Sequence, residues 1–222
     1  MKANDKLINA GIKWLAAITI PLFLVLTVTR ILATPLWVKI EYRMPGFPED
    51  GFGLTLEDRA ELAPLALAYL FNDAGIEFLG DQSFPDGSPI YSDRELRHMQ
   101  DVKVFTQAGL KIWFASIALL LGLAAFARQT GRESSFRAGA AQGGKLTVWL
   151  LAFLLALIAL NFEQVFITFH AMFFEGDTWL FLFSDTLIRL FPMRFWQDAF
   201  TFVGGVTFAC GLFFWYRFSK DR

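Results

Sequence analysis

Two histidines are the only imidazoles in the 222-residue chain, and each stands at the end of a long apolar run. His98 lies in Tyr91-Ser-Asp-Arg-Glu-Leu-Arg-His-Met-Gln-Asp-Val-Lys103, where one such run begins. His170 lies in Phe169-His-Ala-Met-Phe-Phe-Glu-Gly-Asp-Thr-Trp179, where another ends. Imidazole has the side-chain pKa nearest neutrality, so it can accept a proton and return it. Two of them at the depth of a lipid ester suit acyl chemistry. His98 as general base would act on an incoming nucleophile, with His170 orienting it or bonding the developing oxyanion. No protein nucleophile accompanies them. Cys210 is alone in an apolar run, and no Gly-x-Ser-x-Gly elbow occurs. The substrate must then supply its own nucleophile.

By helical angle Arg94 and Asp101 share a face with His98, while Lys103, Gln107 and Lys111 form a stripe opposite. Asp101 is placed to fix the imidazole, and Arg94 to contact the lipid or its carbonyl. Glu163 precedes His170 by two helical turns on nearly the same face, and a carboxylate at that depth needs a reason to be there. Each of these residues also has a plain reading. A single histidine at an interface, or a charged helix end such as Arg94, Asp101 and Lys103, can be no more than a solvated or amphipathic feature. The shared position of both histidines is what favours function. Glu163, Glu175 and Asp177 show no metal-ligand spacing, so no metal and no cofactor is expected.

The elements that must position the pair follow from composition. Apolar residues make up 55% of the chain, with 26 Phe and 7 Trp, and the mean hydropathy is +0.44. A water-soluble domain of this size cannot cover that much apolar surface. Stretches 12–33, 104–127, 146–169 and 200–218 are each long enough to span a bilayer. The expected fold is an all-α transmembrane four-helix bundle, a single membrane domain over residues 1–222. The N-terminus, the 128–145 loop and the C-terminal tail carry ten lysines and arginines, Lys2 and Arg222 among them, against Asp5, Glu133 and Asp221. The positive-inside rule places these three segments, and both termini, in the cytoplasm. Residues 34–103, with thirteen acids against six basic residues, then face outward with both histidines.

That outer segment reads as a small mixed α/β cap between the first two spans. Leu36, Val38, Ile40 and Tyr42 alternate with Trp37, Lys39, Glu41 and Arg43 as a half-buried strand would. Thr55 with Asp58, and Ser92 with Glu95, are capping boxes that start helices. Pro64 is expected to break or kink the first of these, and Asn72-Asp-Ala-Gly75 to end it. The second helix runs from Asp93 through Ala127, leaving His98 in turns that protrude from the bilayer. Residues 179–196 mix Leu, Phe and Trp with Asp185, Arg189 and Arg194, which suits an amphipathic interfacial segment. Gly204, Gly205, Thr207 and Gly211 offer small faces for helix packing. Net charge of −1, without a basic aromatic patch, gives no sign of nucleic acid.

Beyond these physical readings, the two histidine motifs, with Leu54-Thr-Leu-Glu-Asp58, Asp185-Thr-Leu-Ile-Arg-Leu-Phe-Pro192 and Phe195-Trp-Gln-Asp198, resemble a family of bacterial four-span membrane proteins. That family includes the lipoprotein intramolecular transacylase. The resemblance implies a bacterial cell-membrane enzyme that moves the sn-2 acyl chain of a diacylglyceryl lipoprotein onto the α-amino group of its N-terminal cysteine. It places the family's two functional histidines on His98 and His170, and its partners would be acylated lipoprotein and membrane lipid. Departures are the Glu-Gly-Asp-Thr-Trp run after His170 and Met193 after Pro192. Two other classes fit two outer histidines: a b-type haem protein with both as axial ligands, and a non-catalytic scaffold or sensor.

Overall fold

A computed structural model describes residues 3–220, so Lys2, Asp221 and Arg222 of the charge pattern lie outside the described residues. Eight helices follow in order: α1 (Ala3–Leu32), α2 (Pro35–Glu41), α3 (Leu56–Phe71), α4 (Glu77–Gly80), α5 (Asp93–Gln129), α6 (Glu133–Phe173), α7 (Thr186–Leu190) and α8 (Met193–Ser219). Helices α1, α5, α6 and α8 are long and apolar enough to cross a membrane. Among the described residues there is no strand; the sole β feature is an isolated bridge between Ser83 and Pro89.

The expected strand at residues 36–43 is therefore corrected to helix α2. Thr34 is extended, Pro35 occupies the first turn where its missing N–H costs nothing, and Val38, Glu41 and Tyr42 form the buried face. Their i, i+3, i+4 spacing is helical, and no second strand is available to pair with. The 128–145 loop is likewise corrected. Gly131, at φ +67, turns the chain, and α6 starts at Glu133, so most of that stretch is helix. Pro64 does not break α3, which runs through it. The carbonyl it leaves unbonded belongs to Ala60, which is exposed.

The chain divides into two compact units. The first comprises the chain up to Arg30, Leu110–Leu160 and the chain from Thr201. Its helices approach with little between them. A Cβ added at Gly139 would stand 2.5 Å from the Lys13 carbonyl oxygen, and one at Gly144 would stand 2.4 Å from the Trp215 nitrogen. Gly211 faces Thr147 at 3.0 Å, and Gly204 faces Leu155 at 2.7 Å, as small packing faces should; Gly205 meets nothing. Ile20, Leu24 and Ala140 form the buried centre. Polar links include Trp113 Nε1, which donates to Thr27 Oγ1 at 2.9 Å, and Arg132, which pairs with Asp5 at 2.9 Å.

The second unit comprises Ile31–Gly109 and Asn161–Phe200. Its core gathers Val38, Tyr42, Ala63, Leu79, Met99 and Leu190 with their neighbours. Both expected capping boxes form. Thr55 and Asp58 exchange bonds of 2.8 and 3.0 Å, and Glu95 accepts from the Ser92 N–H at 2.8 Å. The second Glu95 oxygen accepts from Leu187 N at 2.7 Å, Thr186 donates to the Ile90 carbonyl, and Tyr42 donates to the Leu190 carbonyl at 2.7 Å. These bonds dock α7, so residues 179–196 divide in character: Leu187, Leu190 and Phe191 are core, while Leu182 and Phe183 are exposed. Arg189 grips Asp50 through two bonds, at 2.9 and 3.1 Å. Burial pulls the Asp50 pKa upward, but Arg189 and the N–H groups of Leu54 and Phe52 outweigh it and hold the carboxyl near 2.

Candidate active site

His98 is carried in the second turn of α5, whose start is fixed by the Ser92–Glu95 box. Helix α6 is broken at Asn161, which has extended backbone (φ −160, ψ 88) inside an otherwise helical run. Its side-chain oxygen accepts from Gln164 N at 3.0 Å, so Asn161 caps a fresh helix that carries His170.

The two imidazoles meet. Their ring centroids lie 6.1 Å apart with planes inclined by 25°. That separation is too wide for a direct hydrogen bond between the rings. His98 is 7% exposed, and its Nδ1 is buried without a partner. His170 differs: its Nδ1 lies 2.8 Å from the Phe166 carbonyl oxygen. A carbonyl only accepts, so Nδ1 carries the proton and Nε2 keeps the lone pair. His170 is thus set as a base toward whatever faces Nε2.

Aromatic rings enclose the pair. Phe174 touches both imidazoles, at 5.2 Å from His98 and 5.5 Å from His170. Phe181 lies 5.2 Å from His98; Phe166 and Trp179 lie 4.1 and 5.3 Å from His170. The Phe174 ring therefore sits beside both histidines. Gly176, at φ +71, and the Asp177–Leu180 turn reverse the chain after α6, which brings Trp179 and Phe181 back over the site. Gly176 is the one local sign that the segment folds back.

The other expected site residues spread outward. Arg94 pairs with Asp185 at 2.7 Å and lies over Phe181, and Asp185 also accepts from Leu182 N at 2.8 Å. Arg94 thus anchors the returning segment. Asp101 accepts from Thr178 at 3.4 Å rather than from His98. Lys103 donates to the Ala74 carbonyl at 2.6 Å and to Asn72 at 3.1 Å, and Gln107 donates to the Asn72 carbonyl, so this stripe of α5 holds the end of α3. Glu163 is exposed, with no bond to His170. Among the described residues no three His, Cys, Asp or Glu side chains gather as a metal site requires.

Known proteins match this architecture. The family described as lipoprotein intramolecular transacylase Lit matches residues 14–196. An uncharacterized protein of Aquifex aeolicus (strain VF5) is 33% identical over 190 residues, 82% of each chain. The membrane integral lipoprotein intramolecular transacylase Lit from Bacillus cereus has a similar structure. Its TM-score is 0.67 at 19% identity, covering 96% of this chain and 97% of that one. A substituted form of the same protein gives 0.65 at 16% identity, with 97% and 92% covered. At these identities the two structures speak to the fold: helical, integral to the membrane and multi-pass.

Proposed function

We propose a reaction from the premise that the chain belongs to the lipoprotein intramolecular transacylase Lit family. Membership supports a lipoprotein transacylase kind of function in a multi-pass membrane protein. The finer reading is acyl transfer from the sn-2 ester of a diacylglyceryl lipoprotein to the α-amine of its own N-terminal cysteine, at the outer face of a bacterial cell membrane. Both termini are cytoplasmic in this reading, as the basic segments argue. The observation that carries it is the pair of imidazoles 6.1 Å apart, one of them tied at Nδ1 to a backbone carbonyl.

The chemistry then balances with the substrate as its own nucleophile. An α-ammonium with a pKa of about 8 sheds one proton to solvent near neutrality. The free amine attacks the ester carbonyl carbon and a tetrahedral oxyanion forms. His170 Nε2 takes the second amine proton as the C–N bond forms. Collapse breaks the bond to the glycerol oxygen, which leaves with a proton delivered by imidazolium. The products are an N-acyl amide and a free sn-2 hydroxyl. His98 faces His170 as the second imidazole, aligning the amine or passing the proton to the leaving oxygen. The tautomer of His170 favours it as the base, the reverse of the roles expected from position along the chain.

Mass spectrometry of lipoprotein N-termini tests this reading in cells with and without the gene. N-acyl, lyso-glyceryl termini are expected only with it, and either His98→Ala or His170→Ala should reduce their formation by about 10²-fold or more. An unchanged acylation pattern, with the protein confirmed in the membrane, removes the transacylase assignment. Retained function in both alanine variants would point to the scaffold reading instead.

A further inference from the structure

The proposed reaction has a base and a second imidazole, but it still lacks a donor for the negative charge that develops on the ester oxygen. Such donors work best when they are already in place and already dry. Trp179 offers one. Its indole lies against the His170 ring, with centroids 5.3 Å apart and planes inclined by 35°. Its Nε1 is buried and has no hydrogen-bond partner. An indole N–H can only donate, so nothing but an acceptor satisfies it. A buried donor left unpaired costs free energy, and native structures seldom carry one without a reason. The group across the site, His98, also holds an unpartnered buried nitrogen.

The backbone that presents Trp179 is held at both ends. Gly176 sets the reversal after α6, and the Arg94–Asp185 pair with the Leu182 N–H fixes the far side. An indole also keeps its ring plane with only two side-chain torsions to immobilise.

We propose that the Trp179 indole N–H donates to the carbonyl oxygen of the ester under attack and stabilises its oxyanion, making Trp179 a catalytic residue beside His170. This rests on the transacylase reading above. The test uses full-length protein reconstituted in lipid with a synthetic diacylglyceryl-cysteinyl peptide, followed by mass spectrometry of the N-acyl product. Trp179→Phe should lower kcat by roughly 10²-fold with KM within about twofold. Replacing Trp179 with β-(3-benzothienyl)alanine, which keeps the bicyclic shape and exchanges N–H for sulfur, should lower kcat to the same extent. Wild-type rates in the benzothienyl protein, with His170→Ala inactive, would overturn the inference and leave the transacylase reading standing. No transfer by the wild-type protein would overturn both.

Discussion

The first unit is held by backbone that meets backbone, the second by side chains that reach defined polar partners. In the first, Gly139 and Gly144 stand where any side chain would strike a neighbouring main chain. In the second, Glu95, Asp50, Tyr42 and Thr186 each close a bond to a distant element. The contrast follows from the solvent. Apolar side chains gain little from association in lipid, so close van der Waals contact must hold the helices. Where water is the surrounding medium, apolar burial drives packing, and most polar groups buried with it find partners. The two imidazoles lie in the second unit, where returning loops and ion pairs can set a side chain more closely than a helix face alone can.

Gly144→Ala is the harshest way to break that contrast. The new methyl would stand 2.4 Å from Trp215 N and 2.7 Å from the Gly211 carbonyl oxygen, and neither backbone atom can rotate away. A loss of about 3 kcal/mol or more is expected in thermal unfolding of the purified protein. Transfer per folded molecule should be unchanged, because no site residue belongs to that unit. A variant as stable as wild type would mean that the helices are free to slide apart, and the packing account would fail.

Glu41→Gln sharpens the other side of the comparison, since Glu41 is a carboxylic acid buried in the second unit without a partner. It is 0% exposed and neither carboxyl oxygen has a partner. Burial, then the neighbouring Asp198 carboxylate, push its pKa up to about 7, while Arg194, paired with Asp198, opposes them. With the folded value above the unfolded one, the stabilising contribution is complete below about pH 4.5 and is lost as pH rises through about 7. Gln cannot ionise. The variant should match wild type near pH 4.5 and exceed it by about 2–3 kcal/mol at pH 8 in denaturant melts. An identical pH slope in both proteins would show that Glu41 is not the titrating group.

Much of this organisation is legible in the chain, for identifiable reasons. The four long helices declare themselves because a bilayer demands length and apolarity together, and the starts of α3 and α5 because Thr55–Asp58 and Ser92–Glu95 are local reciprocal bonds. Helix α2 misleads because residues 36–43 read as a strand-like alternation while Glu41, a buried acid, occupies the helical core face. Residues 133–145 mislead because glycine suggests a free loop, where Gly139 and Gly144 serve proximity. Both histidines stand out by type and by their place at the ends of apolar runs. Trp179 and Phe181 do not, because a turn at Gly176 and the Arg94–Asp185 pair bring them to the site, and no periodicity encodes that return.

Asn161 joins the two kinds of organisation, and it carries the smallest predicted effect. It opens the second-unit part of α6, and its side chain replaces the backbone bond that the break removes from Gln164 N. Ala is the best helix former and cannot cap, so Asn161→Ala favours running the helix straight through the break. The direct loss should be about 1 kcal/mol in thermal unfolding. Without that cap the turns from Asn161 to His170 lose their fixed start, which loosens the pairing of His170 with His98. The transfer rate should therefore fall further than stability does, by about tenfold, with Asn161→Ser recovering both because its hydroxyl still accepts from Gln164 N. Equal rates in the alanine variant and the wild type would mean that the pairing of the imidazoles is set by the aromatic enclosure alone, with the break in α6 a local accommodation.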